Sequence, residues 1–173
     1  MFFMRHGQSV FNVVHDRTGR DPQTPDAELS ALGMTQARKA AMQLEGRRIT
    51  AIISSPFTRA LQTASFVAEV LRLPIEIDPL VSERGVHSCD IGSPASVLRA
   101  RFPALAFSAL GGGQWWPPQN ESARTLQERV HAFMTKMSFE DRAATTLVVS
   151  HWYFINAATG ACPDNAEVVE VRV

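Results

Sequence analysis

Five side chains of this sequence have the types and positions needed for chemistry on a phosphate: Arg5, His6, Arg59, Glu83 and His151. Guanidinium groups are planar and permanently charged, and they match phosphate oxygens through paired hydrogen bonds. An imidazole beside two such cations is favoured in its neutral form, which is a competent nucleophile. A second imidazole could donate to the phosphoryl oxygens, and a partly buried glutamic acid could protonate the departing oxygen. The set therefore indicates phosphoryl transfer without a metal ion.

These residues follow short apolar runs that are typical of buried strands. We predict strands at residues 1–4, 51–54, 75–77, 145–150 and 168–173. Helices are predicted between Ser30 and Gly46, from Pro56 to Pro74, and over residues 95–102, 126–137 and 153–159. Such alternation predicts a mostly parallel sheet with helices on both faces, and ligands bind beyond the carboxyl ends of its strands. The five side chains should therefore converge on one edge of the sheet.

The stretch 79–123 is irregular, with five prolines, the run Gly111–Gly113 and one short predicted helix. A long irregular stretch inside a compact domain usually builds a binding surface or a lid. Trp115 and Trp116 could form a lid over an apolar substrate, or a core patch beneath the loop. The glycine run lacks the lysine and hydroxyl residue of a phosphate-binding loop, so we interpret it as a flexible turn.

Several segments resemble, in the same order along the chain, the motifs of the histidine phosphatase superfamily, whose best-known branch is the cofactor-dependent phosphoglycerate mutases. These segments are Arg5–Ser9 with Asn12, Leu29–Gly33 with Gln36 and Ala37, Ser54–Ala64, Asn120–Ser122 ahead of Arg129, and Val148–His151. The matches extend from Met1 to about Ala158. Coincidence is a poor explanation, because a chance Arg-His-Gly tripeptide would not be followed by four further segments in register.

The resemblance implies a three-layer α/β/α sandwich and a hydrolysis that needs no cofactor or metal. It also implies that His6 is the nucleophile and becomes phosphohistidine. The phosphate pocket would be completed by Arg5, Arg59 and His151, with hydrogen bonds from Asn12 and Ser9. Glu83 stands at the position of the family's general acid, and Asp90 is a nearby second candidate for that role.

Each of these residues also has an ordinary interpretation. The two arginines could form surface ion pairs, and Glu83 could be a solvent-exposed acid. Zinc ligation by His6 and His151 is disfavoured, because the sequence has no short ligand spacing and Arg5 would repel a cation. The remaining histidines are interpreted as solvated or packing residues: His15, His87 and His131.

The main departure from the family pattern lies directly after His151. The family has glycine there, which lets the backbone come close to the ligand, whereas this chain has Trp152 followed by Tyr153. The backbone amides are kept, but two large rings must be housed beside the pocket, which we expect to affect catalytic efficiency. The run 90–92, Asp-Ile-Gly, also stands where an aromatic residue, an acid and a glycine are commoner.

Length and composition limit the other possibilities. The 173 residues suit a single domain spanning 1–173, and 17 basic against 17 acidic side chains give no broad basic surface for nucleic acid. No apolar run is long enough to cross a membrane. Cys89 and Cys162 form no metal or redox motif, and the apolar start is too short for a signal peptide. We therefore expect a cytoplasmic protein whose partner is a small phosphorylated metabolite; nothing in the sequence indicates the oligomeric state.

The expected activity is a phosphatase for small phosphomonoesters. The first alternative is a phosphoglycerate mutase, which must return the phosphoryl group before water reaches phosphohistidine and so needs a closed, dry pocket. Mutases of this family close the pocket with longer insertions and a carboxyl-terminal tail, whereas the last strand predicted here ends at Val173. The second alternative is a catalytically weak protein that binds phosphorylated ligands, with Trp152 reshaping the site.

Overall fold

A computed structural model describes residues 1–171 and has a five-stranded sheet at its centre. The strands are β1 (Phe2–Arg5), β2 (Ala51–Ser54), β3 (Ile75–Ile77), β4 (Thr146–Ser150) and β5 (Val168–Glu170). They lie in the order β3-β2-β4-β1-β5, and every neighbouring pair is parallel except β1 with β5. The mostly parallel sheet is therefore confirmed. The last strand was predicted to reach Val173, but residues 172 and 173 lie outside the described residues.

Six helices accompany the sheet: α1 (Val10–Thr18), α2 (Ala31–Leu44), α3 (Thr58–Leu71), α4 (Ala95–Arg101), α5 (Ala123–Ser138) and α6 (Trp152–Thr159). Ser30 caps α2 as predicted, since its hydroxyl accepts a hydrogen bond from the Gly33 amide. Helix α2 ends at Leu44, and Gly46 lies in the turn that follows, with φ +81°. Within the described residues, no helix combines the length and apolar character needed to cross a bilayer.

The α1 helix is absent from the sequence-based expectations. Phe11 is its only buried residue, so its apolar pattern is too weak to reveal it. A capping box at its start was the available signal, because the Ser9 hydroxyl accepts from the Asn12 amide and the Asn12 side chain accepts from the Ser9 amide.

Strand side chains alternate between two hydrophobic layers. Met4, Ile52 and Val149 pack with α2 and α3 on one face of the sheet. Their neighbours Phe3, Ile53 and Val148 pack with α5 and α6 on the other face. Because successive strand side chains point to opposite faces, the apolar residues at the centres of β1, β2 and β4 can support helices on both sides. The molecule is accordingly the expected three-layer α/β/α sandwich.

The irregular stretch 79–123 contains α4 and 3-10 turns at Pro79–Val81, Ser88–Asp90 and Ser108–Leu110. The Trp115 ring packs edge-on against Phe57 at a centroid distance of 4.9 Å, and its indole nitrogen donates to the Ser93 carbonyl at 2.8 Å. Trp115 also joins the apolar cluster of Leu98 and Phe107. Of the two alternatives for this tryptophan, the structure therefore has the core patch beneath the loop.

Candidate active site

The predicted side chains meet at a cavity of about 290 Å³ beyond the carboxyl end of β1. Six of the seven predicted site residues line it: Arg5, His6, Ser9, Asn12, Arg59 and Glu83. The seventh, His151, does not line the cavity; it is fully buried, with its ring centroid 5.1 Å from that of His6. The predicted side chains therefore do lie close together, but the sequence did not indicate that the His151 imidazole lies behind that of His6.

The strand register explains why the two histidines are neighbours. Arg5 at the end of β1 pairs with Ser150 at the end of the parallel strand β4. The residues that follow, His6 and His151, therefore leave the sheet side by side. The His6 amide continues the ladder by donating to the Ser150 carbonyl at 3.0 Å. The sheet itself thus sets the position of the candidate nucleophile.

A hydrogen bond defines which nitrogen of His6 is free. Nδ1 lies 2.7 Å from the Gly7 carbonyl oxygen, and since a carbonyl can only accept, Nδ1 carries the proton. The lone pair is therefore on Nε2. Burial lowers the pKa of His6 well below its usual value of 6.5, and the charges of Arg59 and Arg5 lower it further. The imidazole is consequently neutral at pH 7, as a nucleophile must be.

Two glycines allow the loop that carries His6 to pack against the start of α2. A Cβ atom on Gly7 would lie 2.4 Å from the Gly33 carbonyl oxygen, and a Cβ on Gly33 would lie 1.9 Å from the Gln8 carbonyl oxygen. Neither position tolerates a side chain without a backbone shift. The Gly7 amide is also fixed, since it donates to the Thr63 hydroxyl at 3.1 Å.

Arg59 is a buried cation with a buried counter-ion, so it is not a surface ion pair. It is 2% exposed and donates to the Cys89 carbonyl at 2.7 Å and to Asp90 Oδ1 at 3.0 Å. The other Asp90 oxygen accepts from the amides of Val86 and His87. Asp90 is thus occupied in holding Arg59 and the loop, which argues against it as the general acid.

Arg5 and His151 each present a buried nitrogen with no hydrogen-bond partner within residues 1–171. These atoms are Nε of Arg5 and Nδ1 of His151. Arg5 is otherwise anchored, because one of its Nη atoms donates to the Pro163 carbonyl at 3.0 Å. Leaving a buried polar group without a partner costs about 1–3 kcal/mol. Since Arg5 lines the cavity, its Nε is well suited to an anionic ligand that supplies an acceptor oxygen.

The His151 ring is hydrogen-bonded to Ser55. The Ser55 hydroxyl oxygen accepts from the Phe57 amide at 3.3 Å and lies 2.8 Å from His151 Nε2. A hydroxyl can either donate to Nε2 or accept from it, so this contact fits both neutral tautomers. Burial, followed by the charge of Arg59, lowers the pKa of His151 well below 6.5. His151 is consequently neutral at pH 7.

Glu83 is 7% exposed, so it is not a solvent-exposed acid. Burial raises its pKa to about 7, and the nearby Asp90 charge acts in the same direction. Its Oε1 atom accepts from the amides of Arg84 at 2.9 Å and Tyr153 at 3.1 Å. Because Oε1 is used as an acceptor, the proton of the neutral acid is favoured on Oε2. These features suit a proton donor near neutral pH.

Arg129 holds the segment that carries Glu83, a role that sequence reasoning did not assign. One of its Nη atoms donates to the carbonyls of Leu80 at 2.8 Å and Ser82 at 2.6 Å. The other pairs with Glu121 at 2.8 Å, and that carboxylate is 3% exposed. Glu121, in the segment Asn120–Ser122, is therefore the counter-ion of Arg129. We call the Arg129–Glu121 pair the brace, because it holds the segment that carries the candidate acid.

Ser9 and Asn12 are both at the cavity, but they are used differently. The Ser9 hydroxyl donates to Asn12 Oδ1 at 2.8 Å, so its proton is already engaged in capping α1. Asn12 Oδ1 accepts from both the hydroxyl and the amide of Ser9, which leaves the Asn12 amino group as the donor. The geometry favours Asn12 over Ser9 for a direct contact with phosphate.

Five ring side chains form most of the remaining lining, together with Asp16, Cys89 and Asp90. We call the five rings the aromatic wall: Phe11, His15, His87, Trp152 and Tyr153. The sequence indicates that His15 and His87 are solvated or packing residues; in the structure both rings pack on Phe11, and both also line the cavity. A weak signal existed, because Phe11 and His15 are four residues apart on α1 and stack at 5.1 Å. Trp152 and Tyr153 meet edge-to-face at 5.0 Å, so the two rings after His151 are accommodated in the wall.

Among the residues that the structure describes, no group of three or more histidine, cysteine or acidic side chains is arranged to hold a metal ion. Cys89 is buried and Cys162 is exposed, and both are free thiols.

Comparisons with known proteins identify sequences and folds that are similar to this chain. A family model described as the histidine phosphatase superfamily (branch 1) matches residues 1–166. A protein of Proteus mirabilis named "Probable phosphoglycerate mutase GpmB" is 29% identical over 152 residues, which cover 87% of this chain and 68% of that relative. A mycobacterial glucosyl-3-phosphoglycerate phosphatase structure is similar, with a TM-score of 0.69, 25% identity, and coverage of 97% and 88% of the two chains. A phosphoserine phosphatase of Entamoeba histolytica shares the fold, with a TM-score of 0.64, 19% identity, and coverage of 96% and 87%.

Proposed function

The chain belongs to the histidine phosphatase superfamily, and on this premise we propose that it hydrolyses small phosphomonoesters through a phosphohistidine formed on His6. The observation that carries the proposal is the 2.7 Å contact of His6 Nδ1 with the Gly7 carbonyl. It leaves an unprotonated Nε2 in a cavity that also holds two guanidinium groups and a carboxyl group with a pKa of about 7. Phosphatase structures among its similar folds support the same reaction class.

Binding depends on the two arginines and on the donors left without partners. Arg5 and Arg59 neutralise the phosphoryl dianion, and each charge-assisted hydrogen bond contributes about 1.5–3 kcal/mol. The Asn12 amino group and Arg5 Nε donate to further oxygens. In this scheme the positive charge that phosphoryl transfer requires comes from side chains, so no metal ion is needed.

In the first step His6 Nε2 attacks phosphorus, and the bond from phosphorus to the ester oxygen breaks. The departing oxygen takes the proton of Glu83 and leaves as an alcohol. In the second step the Glu83 carboxylate removes a proton from water, whose oxygen attacks phosphorus and breaks the P–N bond. Inorganic phosphate is released, and His6 and Glu83 return to their starting protonation states.

Phosphoglycerate mutase is the alternative, favoured by the name of the Proteus mirabilis relative. The cavity lining argues against a mutase, because its permanent cations are Arg5 and Arg59 and one phosphoryl group requires both of them. A mutase also has to hold the carboxylate and second phosphate of a doubly phosphorylated intermediate. A weakly catalytic phosphate-binding protein is the second alternative, because Trp152 occupies part of the cavity wall.

Trapping the phosphoenzyme tests the proposal directly. The protein is mixed with a chromogenic phosphate ester in the presence of a chelator and quenched in base, where phosphohistidine is stable. We expect one added phosphoryl group on His6, and loss of both this group and turnover in His6→Ala. His131→Ala, which removes an exposed histidine on α5, is the matched control and should react normally.

Turnover that persists in His6→Ala or disappears with the chelator would overturn the proposal. Interconversion of phosphoglycerates faster than phosphate release would establish the mutase instead. Phosphate binding without turnover would establish the binding protein. The cytoplasmic location stays a prediction, which cell fractionation would test.

A further inference from the structure

The cavity has two chemically different parts. Around His6 the lining is charged and deeply buried, with Arg59 and Glu83 at 2% and 7% exposure. The other part contains the aromatic wall, whose members Trp152 and Tyr153 are half-buried and therefore reach towards solvent. If the buried part holds the phosphoryl group, as the proposed function requires, the aromatic wall surrounds the group to which the phosphate is attached.

The rings of the wall come from three separate places in the chain and line one cavity. Phe11 and His15 are on α1, and His87 precedes the 3-10 turn Ser88–Asp90. These three rings pack on one another, with centroid distances of 5.1 Å, 5.3 Å and 5.0 Å. Trp152 and Tyr153 come from the first turn of α6. A leaving group would therefore meet two ring groups, one formed by Phe11, His15 and His87 and the other by Trp152 and Tyr153.

The charges in this part of the lining oppose an anionic leaving group. Among the described lining residues, the wall is accompanied by the carboxylate of Asp16 and by no lysine or arginine. Arg5 and Arg59 lie at the phosphoryl end, and Arg59 is already paired with Asp90. Within the lining that the structure describes, a second phosphate or carboxylate on the substrate would thus find no permanent cation beyond Arg5 and Arg59; the Arg84 guanidinium lies 5.5 Å from the Tyr153 ring centroid but does not line the cavity. A cavity of about 290 Å³ leaves room for a group of roughly one ring beside the phosphoryl group.

We propose that this site selects phosphomonoesters whose leaving group is an uncharged, planar aromatic alcohol of single-ring size. The ring is held by stacking and edge contacts with the aromatic wall, which orient the ester oxygen towards Glu83. Each aromatic contact contributes a factor of roughly two to ten beyond the burial of apolar area. Contacts with two ring groups therefore predict a preference of about ten-fold or more over a saturated ring of the same size.

The test compares kcat/KM for benzyl phosphate, cyclohexylmethyl phosphate and 3-phosphoglycerate at one pH. The first two leaving groups are alcohols of similar size and basicity, so their ratio isolates the contribution of the aromatic ring. We expect benzyl phosphate to exceed cyclohexylmethyl phosphate by about ten-fold, with 3-phosphoglycerate the poorest substrate. In Trp152→Leu, which keeps apolar area but removes the ring, the benzyl preference should fall several-fold. Phe139→Leu, at an aromatic residue that is 85% exposed, is the matched control and should keep it.

The outcomes separate this inference from the proposed function. Equal values for the two ring esters, or faster hydrolysis of 3-phosphoglycerate, would overturn the aromatic preference while leaving the phosphatase intact. An undiminished preference in Trp152→Leu would also overturn it, because the selectivity would then arise outside the wall. Failure to hydrolyse any ester or to form phosphohistidine would overturn both.

Discussion

Replacing Glu83 by glutamine should make the protein more stable at alkaline pH, because the fold holds this carboxyl group where its charge is disfavoured. Burial raises the pKa of Glu83 from 4.5 to about 7. The folded protein therefore binds this proton more tightly than the unfolded chain. The stability that it contributes is fully present below pH 4.5 and is lost as the pH rises to about 7. At about 1.4 kcal/mol per pKa unit, the full loss amounts to about 3–4 kcal/mol, of which about 3 kcal/mol falls between pH 4.5 and about pH 8.5.

Glutamine retains an oxygen that can accept from the amides of Arg84 and Tyr153, and it cannot ionise. Urea unfolding of parent and Glu83→Gln should give free energies of unfolding whose difference grows by about 3 kcal/mol in favour of the variant between about pH 4.5 and pH 8.5. Comparing the two proteins cancels the titration of all other groups. Glu69→Gln on α3, at an exposed position, should show no such growth. A difference that stays constant with pH would refute the burial argument, and so would a variant that loses stability relative to the parent as the pH rises.

Three further outcomes are expected. Hydrolysis of an alkyl phosphate should fall as the pH rises above about 7, because Glu83 then loses its proton. Hydrolysis of a nitrophenyl phosphate should not fall, because its leaving group needs no acid. Parallel pH profiles for the two esters would contradict the assignment of Glu83 as the general acid. Gly33→Ala should lower the free energy of unfolding by about 2 kcal/mol in urea titrations, whereas Gly112→Ala, with nothing within 4 Å of the added Cβ, should change it little. Arg129→Ala should cost about 3–5 kcal/mol by leaving the buried Glu121 unpaired. The double variant Arg129→Met with Glu121→Leu should recover much of that stability but not the activity on alkyl esters. Full recovery of that activity would refute the role of Arg129 in holding the segment that carries Glu83.

The position of the candidate nucleophile could be predicted because the evidence for it is local. An apolar run followed by Arg5-His6-Gly7 identifies a strand end, and the ladder that joins Arg5 to Ser150 confirms its place beside His151. Parallel strands have their carboxyl ends at the same edge, so the residues that follow each strand had to be neighbours.

The choice between Glu83 and Asp90 could not be made in the same way, because both are acids in one irregular stretch. Hydrogen bonds from Arg59 and two backbone amides occupy Asp90, whereas burial makes the proton of Glu83 useful near neutral pH. Those surroundings come from segments far apart in the chain.

The sequence by itself determined the strands, most helices, the three-layer architecture and the candidate phosphate ligands, since apolar periodicity and short motifs are properties of neighbouring residues. Only the tertiary structure decided which nitrogen of His6 is free, that His151 stands behind it, and that His15 and His87 belong to the cavity wall. Burial, protonation and ring contacts depend on what packs around a side chain, and in this protein the packing partners are supplied by distant parts of the chain.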